Sequence, residues 1–316
     1  MVDAVQSLVG VGPNLLSTGN DQRDDLYEAI YALQGNTNFQ NLAGHVTFYP
    51  GTTPSVAAAR ADFASFVTVM TLSPLAIGAD AVGNSQLRQI HSTLAAQWDQ
   101  GSDGVSDLLL ADRVRMLATL VDMNRSDSQH GDLGTPSKFS DLASGIVFDG
   151  DGFGYGGSGD GSIADPLRAR YVFGSDANED ATAIVSSANG DHLYGMGGDD
   201  TIVADGGRDW TEGNAGADRL EGQEHDDTLL GGAGNDVLIG GTGNDWLAGG
   251  EDDDRYEFLS GDGFDVIVDD AGSDTITIDG APLTGGVETA PGSGVWKSPD
   301  GQLIYIGVTN PDTDWA

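Results

Sequence analysis

Apolar residues follow two different periods along this chain. Up to about residue 130 they recur at helical spacing: Leu26, Ala29, Ile30 and Leu33; then Phe63, Phe66, Val67 and Met70 in a segment opened by Thr53 and Pro54. Leu87, Ile90, Leu94 and Trp98 follow Asn84, and Leu110, Val114, Leu117 and Val121 follow Ser106. That spacing turns one side of each segment inward and predicts amphipathic helices sharing one core. From Ser186 to Glu257 the period is nine, with Leu193, Ile202, Leu220, Leu229, Leu238, Leu247 and Tyr256 at the same place in successive units and Thr211 as the exception. Farther on, DTITID and QLIYIGV alternate apolar and polar residues and predict strands between turns.

Written in one frame the nonapeptides read SSANGDHLY, GMGGDDTIV, ADGGRDWTE, GNAGADRLE, GQEHDDTLL, GGAGNDVLI, GGTGNDWLA and GGEDDDRYE. Position six is always Asp: Asp191, Asp200, Asp209, Asp218, Asp227, Asp236, Asp245 and Asp254. Glycines crowd the first half of each unit, where a tight repeated turn needs positive φ and close backbone approach. The apolar residue two after each Asp points into the space between the two stacked layers of strands. A unit with a glycine turn, a fixed carboxylate and an inward aliphatic predicts a solenoid that binds a cation.

These nonapeptides resemble the G-G-x-G-x-D-x-U-x repeat of the RTX (repeats-in-toxin) calcium-binding proteins. The resemblance implies a parallel β-roll in which two nonapeptides make one coil. Turns 18 residues apart then share an edge, Asp191, Asp209, Asp227 and Asp245 on one side and Asp200, Asp218, Asp236 and Asp254 on the other. Coils of a parallel sheet stack about 4.8 Å apart, and two carboxylates at roughly 5 Å repel by about 3 kcal/mol at an effective dielectric near 20. A hard cation taking six to eight oxygens turns that repulsion into a bridge, and calcium's flexible coordination suits it better than magnesium's octahedron. Three stacked pairs on each edge give about six ions, whose binding is coupled to folding. The expected metal-site residues are the eight Asp, the turn glycines Gly195, Gly198, Gly213, Gly216, Gly222, Gly231, Gly234, Gly240, Gly243 and Gly249, and Asp265, eleven residues after Asp254, where the frame slips by two.

Some units depart from the pattern. Asn189, His225 and Asp252 stand at the fourth position, Ala204 and Asp205 replace the first two glycines, and Thr211 replaces the inward aliphatic. The tightest sites are expected around Asp227, Asp236 and Asp245, with weaker or missing ones near Asp191 and Asp209. His225 reads as a turn residue rather than a ligand, since a lone imidazole is out of place among oxygen donors.

Charge agrees with the repeat. The chain has 50 Asp and Glu against 13 Lys and Arg, a net charge of -37. Between Asp176 and Asp270 there are 25 acids beside Arg208, Arg219 and Arg255 alone. A disordered acidic tail would not hold Asp in register with an aliphatic through every unit. The fold class expected is thus α+β and multidomain: a helical domain at 1–136, a Gly/Asp-rich linker and N-terminal cap at 137–175, the β-roll at 176–270, and a β-rich C-terminal cap at 271–316. A solenoid needs end units over its last apolar layer, and Phe258, Phe264, Val266, Ile276 and Ile278 suit that role.

The chain has no cysteine, which removes disulfides, thiol catalysis and cysteine metal sites. Its start, MVDAVQSLVGVGPNLL, carries no basic leader or membrane-spanning run. RTX-like proteins leave by a type I secretion machinery, so the resemblance implies a secreted, extracellular protein, a toxin or similar, with a cell surface as a further partner and no nucleic acid. The close at VTNPDTDWA lacks the amphipathic helix of a secretion signal, so a fragment of a longer protein is expected.

The segments ARADFASFVTVMTLSPLAI, QLRQIHSTLAAQW and LADRVRML resemble a region that, in some very large RTX proteins, follows an α/β-hydrolase-type domain. The alternative to a calcium module is therefore the C-terminal part of a secreted lipase- or esterase-like hydrolase whose catalytic residues lie outside this chain. Within the chain no catalytic constellation is legible. There is no G-x-S-x-G, GGSGD at 156–160 having Asp last, and no HExxH. His45, His91 and His130 are scattered, with His91 read as a core-edge residue, and Asp112 and Arg113 as an exposed or capping pair. Asp149, Asp151, Gly154 and Asp160 echo an EF-hand loop, but Phe153 and the final Asp favour an ordinary hairpin. Asp165 and Pro166 are read as a loop.

Overall fold

The computed structural model describes residues 35–73, 75–101, 104–125, 138–149, 152–155, 169–269 and 271–283, and short strands at 287–288, 295–297 and 304–306. The expected helix around Leu26, His130, the EF-hand-like residues Asp151 and Asp160, and Asp165 with Pro166 lie outside them.

The helical part is more finely divided than its apolar spacing suggests. Among the described residues its helices are α1 (Thr37–Leu42), α2 (Val56–Ala61), α3 (Phe63–Met70), α4 (Ala81–Ile90), α5 (Ser92–Gln100) and α6 (Asp107–Arg125). Caps cut the segments. The Ser55 hydroxyl accepts the Ala58 N–H at 3.1 Å and opens α2, and the Asp62 carboxylate accepts the Ser65 N–H at 2.9 Å and opens α3. Such side-chain acceptors satisfy the free donors of a new helix. His91 breaks the third segment into α4 and α5 with φ −109 and ψ 60, so it is a hinge residue rather than a residue on one continuous helix. Strands β1 (Val46–Pro50) and β2 (Leu75–Ala79) pair antiparallel beside these helices, an element the periodicity does not announce.

The chain then enters a sheet through β3 (Lys138–Asp141), β4 (Ile146–Asp149), β5 (Gly152–Tyr155) and β6 (Arg170–Phe173). β4 and β5 form an antiparallel hairpin, Asp149 opposite Gly152, while β3 and β6 are parallel. β6 starts the roll. One wall of parallel strands is β6, β7 (His192–Gly197), β9 (Trp210–Ala215), β11 (Thr228–Ala233), β13 (Trp246–Glu251) and β15 (Val266–Val268). The other is β8 (Thr201–Val203), β10 (Arg219–Glu224), β12 (Val237–Thr242), β14 (Arg255–Phe258) and β16 (Thr275–Ile278), closed by an antiparallel β17 (Ala281–Pro282). An N-terminal helical part followed by a parallel β-roll is the architecture the sequence predicts.

Register follows the repeat. Leu220 lies beside Leu238, and Leu229 beside Leu247, each 18 residues on. After Asp254 the step becomes 20, Leu247 beside Ile267 and Tyr256 beside Ile276, which is the slip of two seen in the sequence. Leu193, Leu229 and Leu247 on one wall and Ile202, Leu220 and Leu238 on the other are fully buried. Each such aliphatic contributes roughly 1.5–3 kcal/mol by burial. Thr211 interrupts one stack and leaves a buried hydroxyl without a partner.

The end of the roll differs in detail from expectation. Phe258 and Ile276 pack on its core, joined by Ile267. Phe264 is 87% exposed and Val266 lies outward, because Ile267 takes the inward position of β15 and its neighbours must alternate away.

Two turn positions require positive φ. The fourth residue of the unit has φ +102 at Gly198, +144 at Gly216, +121 at Gly234 and +156 at Gly243. His225 adopts φ 83 there, exposed, with its ring Nδ1 near the Glu224 carbonyl and the Gly207 N–H of the coil before. The second residue is also left-handed and is not always glycine: Met196, Asp205, Asn214 and Gln223 all adopt it. At this second position the early units therefore carry backbone strain that the later ones, with Gly232, Gly241 and Gly250 there, avoid, although Asp252 keeps φ 76 at the fourth position of the last unit.

Candidate metal centre

Within each nonapeptide the Asp at six, the aliphatic at eight and the first residue of the next unit are alternate residues of an extended run, so all three face inward. The Asp side chains are accordingly buried, from 0% exposed at Asp191 to 3% at Asp209. They form two ladders. The N–H of each Asp donates to Oδ1 of the Asp one coil on: Asp191 to Asp209 at 2.7 Å, and Asp200 to Asp218, Asp209 to Asp227, Asp218 to Asp236, Asp227 to Asp245 and Asp236 to Asp254 at 2.8 Å. Asp245 N–H donates to Asp265 Oδ1 and Asp254 N–H to Asp274 Oδ1, both at 3.0 Å. Asp265 thus continues one ladder as the frame slip suggested. Asp274 continues the other and was missed, although the same two-residue slip counted from Asp254 reaches it.

Only half of each carboxylate is used in this way. Oδ2 of Asp200, Asp209, Asp218, Asp227, Asp236, Asp245 and Asp254 is buried and has no hydrogen-bond partner. Leaving a charged acceptor buried and unpaired is among the costliest arrangements a fold can contain. Each of these oxygens lies inside its own turn, opposite the residue five places before. A Cβ built on Gly195 would lie 2.5 Å from Asp200 Oδ2, and one on Gly222 equally close to Asp227 Oδ2. Gly213, Gly231, Gly240 and Gly249 face the carboxylates of Asp218, Asp236, Asp245 and Asp254 in the same way. Glycine holds open a cradle lined by a carboxylate oxygen and backbone carbonyls, the donor set of a hard cation. Gly198, Gly216, Gly234 and Gly243 do something else: they shape the turn and let its backbone approach the coil before it.

Two turns stand apart, and they are the ones where weak sites are expected. Asp191 has no free oxygen, since Oδ1 accepts from the Arg170 N–H and Ser187 hydroxyl and Oδ2 from the Ser187 N–H. Asp209 keeps its free Oδ2, but Ala204, fully buried, puts a methyl at the place other turns leave to glycine.

Burial, and after it the charge of stacked neighbours, pushes these carboxyls far above the usual carboxylate range, while the ladder hydrogen bonds pull the other way. Asp227 and Asp236 are pushed up to about 8, Asp209 and Asp254 to about 7, and Asp218 and Asp245 to about 6. For Asp236 the neighbours are Asp218 and Asp254. Without a cation the folded roll therefore binds more protons than the unfolded chain. The stability this gives is complete below the unfolded carboxylate value near ~3.9 and is lost as pH rises through about 6 to 8. In chelator, acidification from neutral pH is thus expected to restore strand structure. Calcium added to this acid-folded roll should displace the protons, read as a calorimetric heat that changes with the ionisation enthalpy of the buffer. A buffer-independent heat would mean that the carboxylates are already ionised and this electrostatic account is wrong.

A second cluster of polar residues lies where α6 meets the outer face of the roll. Asp112 and Arg113, expected at the surface, are 4% and 2% exposed. Asp112 Oδ2 accepts the Tyr194 hydroxyl at 2.8 Å and lies 2.6 Å from His192 Nδ1. Arg113 donates to Asp141 Oδ2 at 2.7 Å and lies over the Phe173 ring. Glu212 is buried too, and its carboxyl is pushed up by desolvation, offset by donors from Ser106 and Trp210, each at 2.6 Å. These groups hold a helix on a sheet. His45 pairs with Asp80 elsewhere, at 2.9 Å.

Residues 185–220, 221–256 and 259–277 match the family model of the RTX calcium-binding nonapeptide repeat, which describes four copies. This stretch of the chain is a run of RTX repeats, and such repeats bind calcium. No curated protein matches the chain. No described helix is long and apolar enough to cross a membrane.

Proposed function

We propose that this chain is a calcium-folded, non-catalytic module of a secreted bacterial protein. It stays unfolded at the low calcium of the cytosol and folds at the millimolar calcium outside, which supports passage through a type I secretion machinery and then locks the exported state. The observation that carries this reading is the row of buried Asp Oδ2 atoms without partners. Such a row is tolerable only when protons or cations fill it, and at neutral pH a divalent cation is the stronger filler. About six ions follow from the stacked pairs, each shared between neighbouring turns.

Circular dichroism during a calcium titration tests the reading. Strand signal should appear cooperatively with calcium, and magnesium at equal concentration should do far less because it dehydrates reluctantly and demands octahedral geometry. Strand content that ignores both calcium and chelator would sink the proposal. Esterase activity that appears with calcium would favour a hydrolase fragment instead.

A further inference from the structure

The ladder of Asp200, Asp218, Asp236 and Asp254 ends differently from the way it runs. On this edge each turn opens on glycine, Gly195, Gly213, Gly231 and then Gly249, five residues before its Asp. β15 lies in register with β13, Trp246 beside Val266 and Ala248 beside Val268, so the residue that takes the place of Gly249 one coil on is Asp269. The last turn therefore opens on one carboxylate, Asp269, and closes on another, Asp274.

Carboxylate oxygens of Asp254, Asp269 and Asp274 lie within 4.8 Å of one another. Asp254 is 2% exposed; its Oδ1 accepts the Asp236 N–H and its Oδ2 has no partner. Asp269 Oδ1 is buried and unpartnered as well, while Oδ2 accepts the Tyr256 hydroxyl at 2.8 Å. That hydroxyl accepts the Gly249 N–H at 2.7 Å and so sits at the mouth of the Gly249 to Asp254 turn. Tyr256 occupies the position where the other repeats carry an aliphatic or Thr211. The nearby arginines are engaged elsewhere, Arg255 with Glu257 and Arg219 with Glu221.

We propose that Asp254, Asp269 and Asp274, with the Tyr256 hydroxyl, form an end site for one hard cation that is tighter than the turns beneath it. The proposal rests on the calcium reading of the ladder and adds a ligand, Asp269, that the repeat does not supply. The physical reason lies in the topology. Turns inside the stack can share a cation with the turn on either side, whereas β16 is followed by antiparallel β17 and, among the described residues, no further coil stacks on it. A third carboxylate from the last turn replaces the charge a following coil would bring, and affinity for calcium or a lanthanide rises with ligand charge.

Calcium calorimetry and terbium(III) luminescence excited through tyrosine, on the full chain, test this. Asp269→Gly restores the residue found in every other turn of the edge, and Asp269→Asn keeps its shape without charge. Both variants should reach wild-type strand content in calcium but lose tenfold or more in affinity for the first equivalent bound. Terbium emission at the first equivalent should fall in both and in Tyr256→Phe. If Asp269→Asn does not fold, Asp269→Gly decides alone. Unchanged affinity for the first equivalent in the glycine variant overturns the end site while leaving the calcium roll standing; a wild-type chain that takes up no calcium overturns both.

Discussion

Chelation of calcium is expected to take down more than the roll: helical signal should fall together with strand signal, and amide protection in α6 should drop. From sequence, the helical part reads as a separate domain that would survive. The structure joins the two. One buried cluster runs from Phe63, Phe66, Leu109, Leu117 and Val121 in the helices to Phe139, Phe173, Tyr194 and Met196 on the sheet. Tyr194 is fully buried although it faces away from the roll's own core, since its neighbour Leu193 fills the inward position. Losing β6 and β7 would expose several large side chains at roughly 1.5–3 kcal/mol each. It would also strip the buried Asp112 of His192 and the Tyr194 hydroxyl, and removing the partner of a buried charge costs about 3–5 kcal/mol. Against a typical domain stability of ~5–15 kcal/mol the helices have little margin. Hydrogen exchange with and without chelator measures this directly. Protection of α6 that is indifferent to chelator would show that the helices fold on their own and merely rest against the roll.

The repeating body of the roll was legible because each nonapeptide repeats one inward apolar side chain, one carboxylate and one glycine turn, and a coil contacts only its neighbours. Nothing distant had to be known there, whereas the roll's irregular end misplaced Phe264 and Val266 and hid Asp274. The interface with α6 depends on a contact between segments some 80 residues apart, which no local pattern encodes. A trace of it was available. Leu109, Leu110, Asp112, Arg113, Met116, Leu117, Leu120 and Val121 are all buried and fall on one broad helical stripe. Asp112 and Arg113 thus sit on the buried face by spacing, and reading them as a surface pair set chemistry above period. Tyr194 gives less warning, because its place in the unit is Glu in Glu212, Glu221 and Glu257. The helix breaks at Asp62 and His91 escaped for the opposite reason: apolar spacing continues across them, and a single capping carboxylate or a bent backbone outweighs it.

The sharpest local test is Asp236→Ala. Asp236 stands between Asp218 and Asp254 on its ladder, accepting the N–H of the first through Oδ1 and donating its own N–H to the second, with Oδ2 free in the Gly231 turn. Alanine removes a ligand charge from the cations on both sides and leaves the Asp218 N–H without its acceptor. Coils of a solenoid support one another only through nearest neighbours, so one weak turn divides the row into two shorter ones. The calcium midpoint for folding should rise about three- to tenfold, the range of roughly 1 kcal/mol in coupled binding free energy, and the transition should broaden. Asp99→Ala, which removes an equal charge from a surface pair with Arg88 in the helical part, should leave both nearly unchanged. Asp191→Ala separates hydrogen bonding from ligation: both oxygens of Asp191 are already engaged by Arg170 and Ser187, so its loss should lower thermal stability in saturating calcium without reducing the number of ions bound. If Asp191→Ala and Asp236→Ala shift the calcium midpoint equally, the free Oδ2 atoms are not what the cation binds, and the ladder's role is hydrogen bonding alone.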